Sequence, residues 1–194
     1  AALHRASQAG SAWRSPCAQR RVEVSKSFSC PRTSTTRGEC DAQVARATCT
    51  AIELVSVLGH ARLASAGAAD GTGNDLDNTL YAGAGDNRLD GGAGTDTVSY
   101  VYATAAVTVS LASEAAQATG SSGTDTLIRI ENLTGSNYND QLTGNGLDNV
   151  LNGGNGNDLL IGGDGADLLI GGNGSDSYYV ENIGDLVVET TVSL

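Results

Sequence analysis

Acidic side chains recur at every ninth residue in the second half of this chain, and their spacing is the first sign of chemistry. Residues 153–179 read GGNGNDLLI, GGDGADLLI and GGNGSDSYY, which is one nine-residue unit written three times. The sixth position of each unit is an aspartate: Asp158, Asp167 and Asp176. Carboxylates held at a fixed spacing, with no base among them, are typical of oxygen ligands for a hard cation.

The same period extends toward the N-terminus in two arrays. Units of nine run without gaps over 73–99 and again over 135–179. Their sixth positions are all Asp or Asn, and Asp185 continues the series: Asn78, Asn87, Asp96, Asp140, Asn149, Asp158, Asp167, Asp176 and Asp185. The eighth position is aliphatic in every unit except the last, where it is Tyr178. A large apolar residue at a fixed offset indicates a buried position.

Each unit is predicted to be a six-residue turn followed by a very short strand. Glycines at the first, second and fourth positions permit positive φ and close backbone approach, and the last three residues are extended. One such strand buries nothing alone, but stacked strands form two parallel sheets around a thin aliphatic core. The predicted fold class is therefore all-β, a parallel β-helix solenoid of nine-residue repeats.

If two units make one coil, residues 18 apart lie on the same side of the solenoid. The sixth positions then form two columns in the second array, Asp140, Asp158 and Asp176 in one and Asn149, Asp167 and Asp185 in the other. In the first array Asn78 and Asp96 share a column. Neighbours in a column lie about 4.8 Å apart, so ionised carboxylates repel each other unless a cation lies between them.

Calcium fits this arrangement best, because it takes about six to eight oxygen ligands in a flexible shell. Magnesium requires a tight octahedron, and zinc requires His or Cys, neither of which occurs among the repeats. The alternative is that these are solvated aspartates in glycine-rich turns. That alternative is weak for aspartates locked in register, but stronger for Asn78, Asn87 and Asn149, because an amide brings one neutral oxygen.

The charge is distributed very unevenly along the chain. Residues 1–68 carry about +5 and residues 69–194 carry −16, which together make the net charge of −11. An acidic array repels nucleic acid and attracts cations, so nucleic acid is not an expected partner. No apolar run approaches the length of a membrane-spanning helix, and no signal-peptide pattern is visible at the N-terminal Ala1. We therefore expect a fragment of a longer protein.

Residues 1–68 have no period and are predicted to be linker-like or disordered. One amphipathic helix is predicted within 41–58, where apolar residues recur at steps of three and four before Gly59. Four cysteines lie here, Cys17, Cys30, Cys40 and Cys49, without a C-x-x-C pair. A zinc site is thus weakly supported, and disulfide pairing and incidental cysteines remain alternatives. His4 and His60 are predicted to be incidental.

The predicted domain organisation has four parts. Residues 1–68 are unassigned, 69–100 form the first array, 101–131 are an interrupting strand and loop insert, and 132–190 form the second array with a C-terminal cap. Within the insert, VTVSL at 107–111 alternates as a strand does. GSSGTDTLI at 120–128 is a degenerate copy of the repeat.

The units GGNGNDLLI, GGDGADLLI, GGNGSDSYY and GGAGTDTVS resemble the RTX, or hemolysin-type, calcium-binding nonapeptide repeats of secreted bacterial proteins. The resemblance covers about residues 71–190. It implies a right-handed parallel β-roll, with several calcium ions between successive turns, and export by a type I secretion system. In the family, backbone carbonyls and the sixth-position carboxylate are the ligands. Carried over, the best matches are Gly92, Gly94 and Asp96; Gly154, Gly156 and Asp158; Gly163, Gly165 and Asp167; and Gly172, Gly174 and Asp176.

The function predicted from these features is a calcium-binding module of a secreted protein that folds on binding calcium outside the cell. The chain holds no H-E-x-x-H, G-x-S-x-G or Walker A motif, so it is predicted not to be an enzyme. Two alternatives concern a longer parent chain with flanking domains. It is either an RTX enzyme, such as a serralysin-like metalloprotease, a lipase or an epimerase, or a large adhesin or surface-layer protein.

Overall fold

The structure is a computed structural model that describes residues 20–21, 45–47, 51–53, 60–63 and 69–189. Every regular element in these ranges is a β-strand. The strands are β1 (Arg20–Arg21), β2 (Ala45–Ala47), β3 (Ala51–Glu53), β4 (His60–Leu63), β5 (Ala69–Thr72), β6 (Thr79–Tyr81), β7 (Asn87–Asp90), β8 (Thr97–Ser99), β9 (Thr108–Ser110), β10 (Gln117–Ala118), β11 (Thr124–Ile128), β12 (Asn132–Thr134), β13 (Gln141–Thr143), β14 (Val150–Asn155), β15 (Leu159–Ile161), β16 (Leu168–Asn173), β17 (Ser177–Tyr179) and β18 (Leu186–Val188).

Successive strands of the repeats alternate between sheets, which makes a solenoid of about seven turns. One sheet has eight strands in the order β18-β16-β14-β12-β8-β6-β4-β2. The alternate strands form a six-stranded sheet, β1-β3-β5-β7-β11-β10, and a four-stranded sheet, β17-β15-β13-β9. Pairing is parallel everywhere except between β10 and β11. The predicted parallel β-roll is confirmed.

The register repeats every 18 residues, as expected if two units make one coil. Leu151 of β14 pairs with Leu169 of β16, and Leu142 of β13 pairs with Leu160 of β15. All four of these eighth-position side chains have zero exposure and lie in one apolar core. Because alternate side chains of a strand point to opposite faces, the seventh and ninth positions face outward.

The interrupting segment 101–131 is built into the roll. Strand β9 pairs with β13, while β11 pairs with β7. Its side chains enter the same core as the repeats do: Val107, Val109, Leu127 and Ile130 are buried there. The side chain of Gln117 in β10 also bridges to β9, since its amide exchanges two hydrogen bonds with the Ser110 backbone, at 2.7 and 2.8 Å.

The predicted helix is wrong where the structure describes 41–58. Ala45–Ala47 and Ala51–Glu53 are strands, and they pair in parallel with β4 and β5. β-Branched residues are frequent in this stretch, ATCTAIELVSV, and they favour extended backbone. The neighbouring coil also offers backbone hydrogen-bond partners that periodicity alone does not reveal.

Several other predictions lie outside the described residues. The four cysteines and His4 belong to the ranges left undescribed, as does most of the predicted linker, and only the backbone of His60 is described. The described residues contain no helix of the length and apolarity needed to cross a membrane. The domain boundaries stay a prediction.

Candidate metal centre

The sixth-position side chains form the two columns expected from their spacing. The backbone N–H of Asp140 donates to Asp158 Oδ1 at 2.7 Å, and that of Asp158 donates to Asp176 Oδ1 at 2.8 Å. In the other column the N–H of Asn149 donates to Asp167 Oδ1 at 2.8 Å. Each carboxylate is therefore held by the coil before it, through one of its two oxygens.

The second oxygen of four of these carboxylates has no partner. The Oδ2 atoms of Asp96, Asp158, Asp167 and Asp176 are buried and accept no hydrogen bond from the described residues. Burying a charged oxygen without compensation is strongly unfavourable. Each of these four oxygens therefore requires a proton or a cation.

Carbonyl oxygens from the neighbouring coil reach the same places. A Cβ built on Gly135 would lie 2.5 Å from Asp140 Oδ2 and 2.5 Å from the carbonyl oxygen of Gly153. A Cβ on Gly153 would overlap Asp158 Oδ2 and lie 2.7 Å from the carbonyl oxygen of Gly171. The missing side chain of the first-position glycine thus leaves a gap where a carboxylate and a carbonyl oxygen converge.

This corrects the role expected for the first-position glycines. Positive φ occurs at the second and fourth positions, as at Gly154 (103°) and Gly156 (129°), and not at Gly153. Gly153 is needed for space, whereas the other two are needed for backbone conformation. The first-position glycines thus border the gap beside the sixth-position carboxylates, and their repetition at a fixed offset is the sequence signal for this.

The second and fourth positions present carbonyl oxygens to the following coil. A Cβ on Gly154 would lie 2.5 Å from the carbonyl oxygen of Ser136, and one on Gly165 would lie 2.6 Å from that of Leu147. Each pair is separated by 18 residues. Rows of carbonyl oxygens thus line the space between coils next to the aspartates.

The donor set fits calcium. Within the described residues, no three His, Cys, Asp or Glu side chains form a cluster suited to a metal. The converging groups are instead backbone carbonyls together with single carboxylates. Oxygen-only sets of this kind suit a large hard cation, and they do not suit zinc or copper.

The remaining sixth positions are satisfied by the protein itself. Asp140 accepts hydrogen bonds from the N–H of Ser136 at 2.5 Å and from its Oγ at 2.8 Å. Asp185 Oδ2 accepts the N–H groups of Glu181 and Asn182, both at 3.1 Å. A metal is less strongly required at these two aspartates than at the four with an unpartnered oxygen.

The three asparagines of the columns are also hydrogen-bonded. Asn149 Oδ1 accepts the N–H of Asn145 at 2.8 Å, and its Nδ2 donates to the carbonyl of Glu131 at 2.7 Å. Oδ1 of Asn78 and of Asn87 likewise accepts the N–H four residues earlier. The amide oxygen of each asparagine is thus already engaged, and the metal-ligand role stays a prediction for all three.

Asp125, in the degenerate copy of the repeat, was not among the predicted site residues. It is fully buried, and its Oδ2 accepts Tyr100 Oη at 3.0 Å and Thr119 Oγ1 at 3.2 Å. Its Oδ1 accepts the N–H of Asn87 at 2.8 Å. Two hydroxyl groups thus give the Oδ2 of Asp125 the hydrogen bonds that the Oδ2 of Asp158 lacks.

Burial raises the pKa of several aspartates at the sixth position. It brings the pKa of Asp96 and of Asp158 to about 6 and raises that of Asp167. By contrast, the hydrogen bond from the backbone N–H of Asp167 lowers the pKa of the partly exposed Asp185. Because the unfolded value is about 3.9, the metal-free fold binds more protons than the unfolded chain between about pH 4 and 6.

The metal-free module should therefore lose stability as the pH rises through this window, because stability falls with pH wherever the folded state holds more protons. With saturating calcium this loss should disappear, because bound calcium keeps the carboxylates ionised in the folded state, as they already are in the unfolded chain above about pH 4. Thermal melts of metal-free and calcium-loaded protein between about pH 4.5 and 7 check this. In the metal-free protein, Asp158→Asn should weaken the dependence of the melting temperature on pH. An unchanged dependence would mean that overall charge repulsion, and not this carboxyl group, causes the loss of stability.

Comparison with known proteins separates the aspartates with an unpartnered Oδ2 from those whose oxygens have donors. Residues 72–100 and 143–178 match the family model of the RTX calcium-binding nonapeptide repeat, in four copies. These segments contain all four aspartates with an unpartnered Oδ2. Asp125, Asp140 and Asp185, whose oxygens have donors, lie outside them. No curated protein matches the chain at a significant level.

Proposed function

Because the chain carries RTX calcium-binding nonapeptide repeats, we propose that residues 69–189 form a module that binds several calcium ions between its coils and folds as it does so. The observation that carries this proposal is the set of four buried Oδ2 atoms without a partner. Beside Asp96 and Asp158 the same gap contains a backbone carbonyl oxygen, that of Arg129 and that of Gly171. The described part of the acidic half contains only two cationic side chains, Arg88 and Arg129.

We assign the ligands by unit. The carboxylates are those of Asp96, Asp158, Asp167 and Asp176, and the carbonyls are those of the glycines beside them at the second and fourth positions: Gly92, Gly94, Gly154, Gly156, Gly163, Gly165, Gly172 and Gly174. The carbonyl oxygens that meet the first-position glycines, such as that of Gly171, complete the shells. Asp140 and Asp185 bind more weakly, because protein donors compete for their oxygens.

Folding and binding are coupled in this proposal. Ordering a glycine-rich chain costs about 1–2 kcal/mol of backbone entropy per residue, and the stacked carboxylates repel one another. Calcium neutralises them and binds only the folded coils, so its binding free energy becomes folding free energy. At a calcium concentration a hundred times Kd, one site contributes about 2.7 kcal/mol.

RTX repeats are typical of secreted or surface proteins, and we extend this to export and folding outside the cell. Extracellular calcium modules have Kd values of about 10⁻⁴–10⁻³ M, so the sites would be empty in the cytosol and filled outside. An unfolded chain suits a type I secretion channel. The repeats are structural and not catalytic. We assign any catalysis to flanking domains of a parent chain, either an RTX enzyme or an adhesin.

A calcium titration of the whole chain tests this proposal. Millimolar calcium should produce a β-rich circular-dichroism spectrum and protect the amides of 132–189 from hydrogen exchange. Magnesium at the same concentration should produce much smaller changes, because it does not tolerate a wide carbonyl shell. Spectra and exchange rates that stay unchanged up to millimolar calcium would refute the proposal.

A further inference from the structure

The two arrays meet at one gap between coils, and this gap is not made from two regular repeats. Strand β8 of the first array pairs directly with β12, where Val98 lies opposite Leu133. The two residues are 35 apart in sequence, not 18. The turn before β12 consists only of residues 129–131, because β11 ends at Ile128 and β12 begins at Asn132.

Glu131 takes the sixth position of the column in this shortened turn. Its Oε2 accepts the N–H of Asp96 at 2.7 Å, which is the same bond that Asp158 Oδ1 accepts from Asp140 at 2.7 Å. The carbonyl of Asp96 in turn accepts the N–H groups of Glu131 and Asn132. A glutamate thus replaces the aspartate of a regular coil, although it lies outside the nonapeptide pattern.

Arg129 supplies the carbonyl that a first-position glycine supplies elsewhere. A Cβ on Gly91 would overlap both the Arg129 carbonyl oxygen and Asp96 Oδ2, and Gly153 is related in the same way to the Gly171 carbonyl and Asp158 Oδ2. Arg129 has a φ of 52°, and it is the only non-glycine residue with positive φ in the described part of the chain.

The guanidinium group of Arg129 does not occupy this gap. It forms an ion pair with Asp90, to which its Nε donates at 2.9 Å. The Asp90 carboxylate, which also pairs with Arg88, holds this guanidinium, while the backbone carbonyl of Arg129 lies beside Asp96 Oδ2. Asp96 itself has zero exposure and an Oδ2 without a partner, so the gap contains a buried carboxylate oxygen that needs a positive charge.

We propose that Asp96 Oδ2, the carbonyl oxygen of Arg129 and the Glu131 carboxylate form a calcium site that joins the two arrays across the interruption. This inference rests on the proposed calcium binding of the repeats, and it adds a ligand pair from outside them. The site links β8 to β12, so it couples the two arrays into one calcium-dependent unit.

Counting bound calcium in variants of the whole chain, by equilibrium dialysis or native mass spectrometry, tests this site. Glu131→Gln should bind one ion fewer than the wild type, because its amide still accepts the Asp96 N–H but brings no charge. Glu181→Gln is the control, since Glu181 is an exposed glutamate remote from the junction. Asp96→Asn should lose the same ion, and the double variant should lose no more than one.

The outcomes separate the two proposals. If the wild type binds no calcium, the proposed function fails. If the wild type binds calcium and Glu131→Gln retains every ion with unchanged affinity, the junction site alone is overturned. If Glu131→Gln does not reach the wild-type circular-dichroism spectrum at saturating calcium, bound calcium is counted in Asp96→Asn instead. If Asp96→Asn binds as many ions as the wild type, the junction site is overturned.

Discussion

Replacing Asp167 by asparagine should remove the part of the calcium-dependent stability that one site contributes, while leaving the metal-free protein as stable as before, or more stable. Asp167 is 1% exposed, and its Oδ2 has no partner. In calcium the variant loses a charged ligand, and the loss amounts to about 2.7 kcal/mol for one site at a hundredfold excess over Kd. The variant should also bind fewer calcium ions than the wild type.

Without calcium the same substitution should be tolerated, because it removes a buried charge that nothing compensates. Asn149, one coil earlier in the same column, shows that an amide fits this position. Its Oδ1 and Nδ2 both have backbone partners, the N–H of Asn145 and the carbonyl of Glu131. The sign of the effect should therefore depend on calcium, which a simple packing defect would not produce.

Asp164→Asn is the matched control for this experiment. Asp164 lies in the same nine-residue unit, GGDGADLLI, but its side chain is exposed. Thermal melts of both variants, in excess calcium and after chelation and desalting, measure the effect. Equal shifts for the two variants in calcium would mean that Asp167 acts only as a surface charge.

Replacing Gly153 by alanine should destabilise the calcium-loaded module and weaken calcium binding. The new Cβ would overlap Asp158 Oδ2 and lie 2.7 Å from the Gly171 carbonyl oxygen. Both neighbours are held within the stack of coils, so the strain should cost about 1–3 kcal/mol, as in overpacked cores. The methyl group would also occupy the place where these two oxygens converge.

Gly146→Ala separates this effect from the general cost of changing a glycine. A Cβ on Gly146 meets no atom within 4 Å, and neither Gly146 nor Gly153 has positive φ. Alanine there should leave stability unchanged or raise it by about 0.4–1 kcal/mol, through the lower entropy of the unfolded chain. Calcium titrations and thermal melts of both variants check this. If the two variants change calcium affinity and melting temperature equally, the proposed steric role of Gly153 is refuted.

The non-repeating parts of the chain were the hardest to predict. The repeat pattern identifies the degenerate unit at 120–128, but it does not predict that Asp125 pairs with Tyr100 and Thr119, because these residues have no fixed offset from it. The predicted helix within 41–58 failed for a related reason. Periodicity reports the preference of a segment alone, whereas β2 and β3 are stabilised by strands that follow them in the chain.

The sequence by itself determined the coil, the core and the two columns. Each coil contacts chiefly the coils before and after it, so one nine-residue pattern sets the register of Leu160 and Asp158 alike. Only the tertiary structure decided which carboxylates lack a partner. Asp140 is satisfied by Ser136 and Asp158 is not, although both occupy the sixth position. The difference lies in the turn conformation at the second position: Ser136 donates its N–H and Oγ to Asp140, whereas Gly154, at a φ of 103°, donates nothing to Asp158 Oδ2. The two units share the offset of four residues, so the repeat pattern does not distinguish these conformations.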